Sequence, residues 1–307
     1  MKAFQRVTIA IALSFVILIM PLKIASAAET VTVLTSFLPI YIFTKNVVGE
    51  RAGVNVEAII PADSGPHDYQ LRPGDMKKIS VADAVILNGL GLDDFLKGVL
   101  DGAAREIKVL ELSAGLPGLI ADDEEEEGNE DSHSHGSGFN PHTWVSPNMA
   151  KLQVQRIADF MSAADPDGRH EYMKNAEAYI TKLERLLIYM EDEGRAIRGK
   201  EIITLHTAFD YFARDMGLII AGTIYHNPDE SPSSSQIASL SDLIKEKGIE
   251  VIFTEPGMSD RMANVLARET GAKIHILDPI ATGEMSADYY EKAIRSNLAE
   301  LRKALLK

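Results

Sequence analysis

The 307-residue sequence contains no cysteine and only one tryptophan. Without thiols we expect no disulfide, no thiolate metal site, no cysteine nucleophile and no lipid-modified N-terminal cysteine. Basic residues are also scarce, because 31 Lys and Arg stand against 45 Asp and Glu, for a formal net charge of −14. This charge argues against partners rich in phosphate, so we expect neither nucleic acid nor an anionic lipid surface to bind.

Long apolar runs are scarce as well, and the main one lies at the N-terminus. The basic residues Lys2 and Arg6 precede an apolar run at 7–20, which is shorter than the ~18–20 residues of a membrane-spanning helix. The small residues at 25–27 (Ala-Ser-Ala) then resemble a secretory cleavage site. We expect residues 1–27 to be a cleaved signal peptide and the mature chain to be soluble outside the cytoplasm. The alternative is a membrane anchor.

Short apolar stretches alternate with helical patterns in both halves of the chain. Continuous apolar stretches such as 84–87 favour parallel sheets buried on both faces, and strands that alternate with helices indicate βαβ units. Residues 169–195 continue a helical pattern for ~40 Å between the two halves. We predict an α/β fold of two lobes, each a parallel sheet flanked by helices, bridged by one long rigid α-helix.

The predicted boundaries follow from these patterns. The expected domains are an N-terminal α/β lobe, a helical connection and a C-terminal α/β lobe, at residues 28–147, 148–195 and 196–307. Strands are predicted at residues 31–36, 55–60, 84–88, 108–112, 201–205, 218–224, 251–254 and 273–277. Helices are predicted at residues 39–48, 73–81, 93–103, 147–163, 169–195, 207–216, 234–247, 260–270 and 286–306.

Residues 121–138 differ in composition from both lobes. An acidic run at 122–127 is followed by His133 and His135 among Gly, Ser and Asn. A segment with so many like charges and so few apolar residues buries little surface, so we predict a disordered loop. The two histidines give this loop a weak capacity to hold metal ions.

Four residues stand out as candidate metal ligands. His67, His206 and Asp278 follow predicted parallel strands, and His142 precedes the helix predicted at 147–163. Open α/β sheets bind ligands at the carboxyl ends of their strands, so facing lobes can bring these residues into one cleft. Three imidazoles and a carboxylate suit Zn²⁺, and they also accept Mn²⁺ or Fe²⁺.

Each candidate has an ordinary interpretation when it is considered alone. A histidine at a strand end often forms a structural hydrogen bond or caps a helix, and Asp278 before Pro279 is a common turn residue. The spacing of the three histidines matches no local zinc motif. Glu255 follows another predicted strand, where it can orient a histidine or serve a structural role before a helix.

Five segments together suggest a family. They are residues 66–75 (PHDYQLRPGD), 140–147 (NPHTWVSP), 206–213 (HTAFDYFA), 254–256 (TEP) and 277–280 (LDPI). Over nearly all of its mature length the chain resembles the metal-binding, lipoprotein- and adhesin-like family (cluster A-I) of periplasmic solute-binding proteins of ABC transporters. Within that family it is most similar to the zinc-uptake members. The resemblance implies two α/β lobes bridged by one helix, with small lobe motions.

The resemblance also implies a ligand set. The family's metal ligands match His67, His142, His206 and Asp278, and the manganese-type members often have Glu at the third position, so His206 favours zinc. Pro66 stands where some zinc members have an acidic residue, which leaves Asp278 or water to complete the site. The absence of cysteine departs from the lipid-anchored relatives and implies a free periplasmic protein.

The expected function is therefore zinc binding in the periplasm by a monomer that is not an enzyme. Its expected partners are the permease and the ATPase of a metal ABC transporter, to which it delivers Zn²⁺. One alternative is the same scaffold loaded with Mn²⁺ or Fe²⁺. Another is an exported metal-dependent hydrolase, in which Asp278 stays remote and water takes the fourth position. A third is an adhesin surface, although no patch in the sequence points to one.

Overall fold

The computed structural model describes residues 30–67, 69–122, 138–225 and 231–306. The predicted signal peptide lies outside these ranges, as do His133, His135 and most of the acidic segment. Within the described ranges, no helix combines the length and the hydropathy needed to cross a bilayer.

The first half of the described chain forms a parallel sheet of four strands. These are β1 (Val31–Thr35), β2 (Val54–Ala58), β3 (Ala84–Leu87) and β4 (Lys108–Glu111), in the order β2-β1-β3-β4. The helices of this half are α1 (Leu38–Val48), α2 (Pro73–Val81) and α3 (Lys97–Asp101). All residues of β3 are buried, as expected for a sheet that is covered on both faces.

Two helices lie between the two sheets in sequence. α4 (Pro147–Ala164) begins at Ser146, whose hydroxyl accepts a hydrogen bond from the Met149 amide, and proline occupies its first turn. α5 (Arg169–Gly194) has 26 residues and is therefore about 39 Å long at 1.5 Å per residue.

The second half repeats the architecture of the first. Its parallel sheet contains β5 (Glu201–Thr204), β6 (Ile219–Thr223), β7 (Val251–Thr254) and β8 (Lys273–Ile276), in the order β6-β5-β7-β8. Its helices are α6 (Asp210–Met216), α7 (Ser234–Lys247), α8 (Arg261–Thr270) and α9 (Tyr289–Leu305). In each sheet the first strand along the chain (β1 or β5) lies between the second and the third, so the direction in which strands are added reverses beside it. Open α/β sheets bind ligands at the carboxyl edge next to such a reversal.

Helix α5 contacts helices from both halves of the chain. It packs against α1 and α4 and also against α6 and α9. One apolar core continues through these contacts, in which Phe43 of α1 lies against Tyr179 of α5 and Tyr290 of α9. The two sheets, the flanking helices and the long helix confirm the predicted fold class. The division at 28–147, 148–195 and 196–307 stays a prediction, since α9 packs on α1 across it.

The helix predicted at 93–103 is shorter than expected. It consists of a 3₁₀ turn at Asp94–Leu96 followed by the short α3. The carboxylate of Asp93 accepts hydrogen bonds from the amides of Asn88 and Gly89, so it does not cap a helix of its own. The helix predicted at 207–216 begins as a 3₁₀ turn at Thr207–Phe209 and becomes α-helical at Asp210. The helix predicted at 286–306 begins late, at Tyr289.

Candidate metal centre

Three histidines from distant parts of the chain converge beside the carboxyl edges of the two sheets. His67 lies in the loop after β2, His142 precedes a 3₁₀ turn at Thr143–Val145, and His206 follows β5. One ligand atom from each ring lies within 4.8 Å of the other two. His142 and His206 are buried, whereas His67 is half-buried.

The geometry of the three rings suits a small cation with nitrogen ligands. The His142 Nε2 atom lies 3.0 Å from Nε2 of His67 and 3.3 Å from Nε2 of His206. A tetrahedral zinc site with bonds of about 2.05 Å places its ligand atoms about 3.3 Å apart. The described residues thus contain a histidine group that can hold a metal ion, with the donor atoms near coordinating distances.

A cavity of about 310 Å³ opens next to the histidines. It is lined by residues from the loops 63–67, 255–258 and 279–282, together with Trp144. Hydrogen bonds between the two halves hold these loops in place. Trp144 Nε1 donates to the Pro279 carbonyl at 2.8 Å, and the Gly283 amide donates to the Ala62 carbonyl at 2.8 Å. The site is therefore built from both sheets and not from either alone.

Glu255 holds the ring of His206. It follows β7, which pairs with β5, so its position next to His206 is set by the sheet. The buried Glu255 Oε1 contacts Nδ1 of His206, and the side chains of both residues are almost fully inaccessible. When a carboxylate binds Nδ1 of a histidine, the proton stays on Nδ1 and Nε2 becomes a stronger donor to a metal. Here Nε2 of His206 faces the other histidines beside the cavity. Of the two roles considered for Glu255, the structure supports the orientation of a histidine.

The amide of Asn140 holds the ring of His142 in a comparable way. Its Oδ1 atom lies 2.9 Å from Nδ1 of His142, and the Asn140 side chain is buried. Sequence reasoning did not single out this residue. The signal that was available is the Asn-Pro-His order, because an asparagine side chain often bonds the backbone two residues later. The same Oδ1 indeed accepts from the His142 amide at 2.9 Å.

Asp278 does not join the group of ligand atoms within 4.8 Å of one another. Its Oδ1 accepts from the Ile280 amide at 2.7 Å, and its Oδ2 accepts from the Tyr289 hydroxyl at 3.0 Å. Both ends of the Asn297 amide bond the Asp278 backbone, which fixes the residue to α9. Burial raises the pKa of the Asp278 carboxyl above its ordinary value. Its role as the fourth ligand stays a prediction.

A buried network behind the histidines contains one unusual acid. Asn88 follows β3, and its Nδ2 donates to the Pro141 carbonyl, next to His142, at 3.0 Å. The Asn88 amide in turn donates to Asp93 at 2.6 Å. Burial raises the pKa of Asp93 to about 6, despite the amide donors that favour the carboxylate.

This raised pKa predicts a pH dependence of folding. The folded state binds the Asp93 proton more tightly than the unfolded state, so the contribution is complete below pH ~4 and is lost as pH rises through about 6. We expect the free energy of unfolding to lose about 3 kcal/mol from this group across that interval. Urea unfolding of metal-free protein at pH 4 to 7 measures this loss of stability. Asp93→Asn should remove the part of the pH dependence that comes from Asp93. Parallel pH profiles for both proteins would contradict the assignment.

Comparisons with known proteins identify the relatives of this chain. The family model described as ZnuA, zinc-uptake complex component A periplasmic, matches residues 33–304. The zinc-binding lipoprotein AdcA of Streptococcus pneumoniae is 33% identical over 278 residues, covering 88% of this chain and 55% of AdcA. The chain thus spans about half the length of that relative. The high-affinity zinc uptake system protein ZnuA of Bacillus subtilis is 31% identical over 289 residues, covering 92% of this chain and 89% of ZnuA.

Solved structures show the same fold. FpvC of Pseudomonas aeruginosa, in complex with Ni²⁺, has a TM-score of 0.78 at 30% identity and covers 90% of this chain and 97% of its own. FpvC has also been solved with Mn²⁺. The matched family consists of uptake-complex components and not of enzymes, which argues against the exported hydrolase. With a family model that matches nearly all of its described residues, the chain belongs to the ZnuA family of zinc-uptake complex components.

Proposed function

We propose that this protein captures Zn²⁺ outside the cytoplasm and delivers it to the permease and ATPase of an ABC transporter. The observation that supports this most is the convergence of three imidazoles, from both halves of the chain, beside a cavity of about 310 Å³. A site between two sheets can release its ion when the sheets separate slightly. We also propose that the protein acts as a monomer and that export by the N-terminal segment precedes its function.

The donor set favours zinc over manganese. Imidazole nitrogen suits Zn²⁺, whereas Mn²⁺ prefers carboxylate, carbonyl and water oxygens. His206 therefore biases the site toward zinc more than a carboxylate at the same position would. The rival is a site for Mn²⁺ or Ni²⁺, the ions in the FpvC complexes. Ni²⁺ shares the affinity for imidazole, so availability of the ion in the cell decides between them.

Metal analysis of protein from its own compartment tests the proposal. The untagged protein is recovered from the extracytoplasmic fraction of cells grown without added metal, and its metal content is measured directly. We expect about one zinc per chain and little manganese or nickel. Manganese or nickel in place of zinc would instead support the rival scaffold. Protein recovered from the cytoplasm as the main pool would contradict the proposed location.

We further propose that Asp278 supplies the fourth ligand once the ion is bound. The Ile280 amide and the Tyr289 hydroxyl donate hydrogen bonds to its carboxylate. A divalent cation next to the histidines attracts this half-buried carboxylate strongly enough to exchange those bonds for coordination. The ion then has four protein ligands and no open position for a reactive water, which suits transport and not hydrolysis.

Substitution of Asp278 tests this assignment. We expect Asp278→Ala to weaken zinc binding at least tenfold, about 1.4 kcal/mol, because the ion loses a charged ligand. Tyr289→Phe serves as the matched control, because it removes a competing hydrogen bond from the same carboxylate and leaves the ligand. We expect this control to bind zinc at least as tightly as the original protein in a chelator competition. Equal affinity for Asp278→Ala and the original protein would leave water as the fourth ligand.

A further inference from the structure

Asn140 lies at the boundary between the two halves of the chain and is only 2% exposed. Its backbone N–H and C=O groups are bonded to opposite halves of the chain. The Asn140 amide donates to the Ile120 carbonyl at 2.9 Å, and the Asn140 carbonyl accepts from the Tyr211 hydroxyl of α6 at 2.8 Å. The side chain therefore projects from a backbone whose position is well determined.

The oxygen of the Asn140 amide determines which nitrogen of His142 carries the proton. Oδ1 faces the His142 backbone amide at 2.9 Å, and that group is only a donor. The atom facing it must therefore be the oxygen and not the nitrogen. The same oxygen lies 2.9 Å from Nδ1 of His142, so this ring nitrogen must donate. Nε2 is then unprotonated and points toward the other two histidines.

The nitrogen of the same amide reaches the other half of the chain. Nδ2 donates to the Thr207 carbonyl at 2.9 Å and to Oδ2 of Asp210 at 2.9 Å. Thr207 follows His206 directly in the chain. One side chain thus bonds the ring of His142 through its oxygen and the segment that carries His206 through its nitrogen. Glu255 differs, because β7 and β5 belong to the same sheet and its contact spans no boundary.

We propose that Asn140 is a positioning residue for the metal site, which sets the spacing of His142 and His206 and fixes the tautomer of His142. This inference rests on the proposed function and deepens it. An amide has one accepting and one donating end, and here each end serves a different ligand segment. A change in the position of one half of the chain therefore changes the distance between two ligands, which links lobe motion to metal affinity.

The first test separates positioning from simple structural support. Zn²⁺ affinity is measured by competition with a chromophoric chelator, and the tautomer of His142 is determined by ¹⁵N NMR of the metal-free protein. We expect Asn140→Ala to lose tenfold to a hundredfold in affinity and to lose the preference for the proton on Nδ1. Asn175→Ala is the matched control, because its Nδ2 also bonds a backbone carbonyl, that of Val47, far from the cavity. We expect the control to change neither quantity.

The second test replaces the donating end of the Asn140 amide with an acceptor. In Asn140→Asp the new oxygen faces the Thr207 carbonyl and the Asp210 carboxylate, and like groups repel one another there. Adding Asp210→Asn restores a donor opposite the introduced carboxylate and returns the net charge to its original value. If spacing controls affinity, the double variant binds Zn²⁺ at least threefold more tightly than Asn140→Asp. If only local negative charge matters, the double variant binds more weakly, which would overturn the proposal.

The outcomes for Asn140 and for the function remain distinguishable. Failure of the original protein to bind Zn²⁺ at all would refute the proposed function. Zinc binding by the original protein together with unchanged affinity and unchanged His142 tautomer in Asn140→Ala would refute only the role of Asn140. If Asn140→Ala does not fold, the comparison of Asn140→Asp with the double variant still decides, because both keep the shape of the side chain.

Discussion

His206→Ala should weaken zinc binding at least a hundredfold, about 2.8 kcal/mol, while the protein keeps its fold. His206 is buried and has its ring oriented by Glu255, so its loss removes a ligand that needs no rearrangement to bind. His67→Ala and His142→Ala should have effects of the same order, because all three rings belong to one group. The affinities are measured by chelator competition, with circular dichroism to verify that each variant is folded.

A histidine outside the group provides the control for these variants. His275 lies on β8, and its Nδ1 bonds Glu300 of α9 at 2.7 Å, away from the cavity. His275→Ala should therefore leave zinc affinity within about twofold of the original value, even if it lowers the stability of the fold. Equal losses for His275→Ala and His206→Ala would mean that the fold, and not coordination, accounts for the effect. Unchanged affinity in all three ligand variants would place the metal elsewhere.

Zinc should stabilise the folded protein by about 4 kcal/mol when its free concentration is a thousand times the dissociation constant. The reason is that the ligands lie far apart in the chain and come together only in the folded state, so the ion binds the unfolded chain poorly. Thermal unfolding with and without Zn²⁺ measures this as a rise in Tm of several degrees. A chelator added to the loaded protein should reverse the rise.

Two variants locate the stabilising site. The rise in Tm should be mostly lost in His206→Ala, whereas deletion of residues 122–135, which carry His133 and His135, should leave it intact. The acidic segment offers only two imidazoles and many carboxylates, so we expect zinc to bind it weakly compared with a preformed group. A rise that survives in His206→Ala but disappears on deletion of the segment would show that the ion stabilises the protein through the loop.

Much of the fold could be predicted because its signals are local. The apolar run at 84–87, the helical periodicity of 169–195 and the Ser146-Pro147 helix start each depend on neighbouring residues, and each appears within one residue of where it was expected. Prediction was poorest where another contact competes with the helical preference. Asp93 was expected to begin a helix, but the amides of Asn88 and Gly89 bind its carboxylate instead.

In the candidate site, too, some features follow from neighbouring residues and others depend on contacts across the fold. His67 and His206 were found because they stand at strand ends, where α/β folds place ligands, and His142 because it precedes a predicted helix. The motifs that flank all three also resemble those of a family. The roles of Asn140 and Glu255 depend on which groups face their side chains across the fold. The position of Asp278 at a strand end predicts a ligand, and this stays a prediction, but no local pattern predicts the hydrogen bonds of its carboxylate with Tyr289 and Ile280.

By itself, the sequence determined the class of the fold, the chemistry of the donor atoms and the exclusion of thiolate sites, because these follow from residue type and from short-range periodicity. Only the tertiary structure decided that the rings of His67, His142 and His206 meet within 4.8 Å and that one amide spans the boundary between the halves. Distances between segments far apart in the chain depend on how two sheets pack around α5. No local pattern of residues specifies that packing to the fraction of an ångström that a metal ion requires.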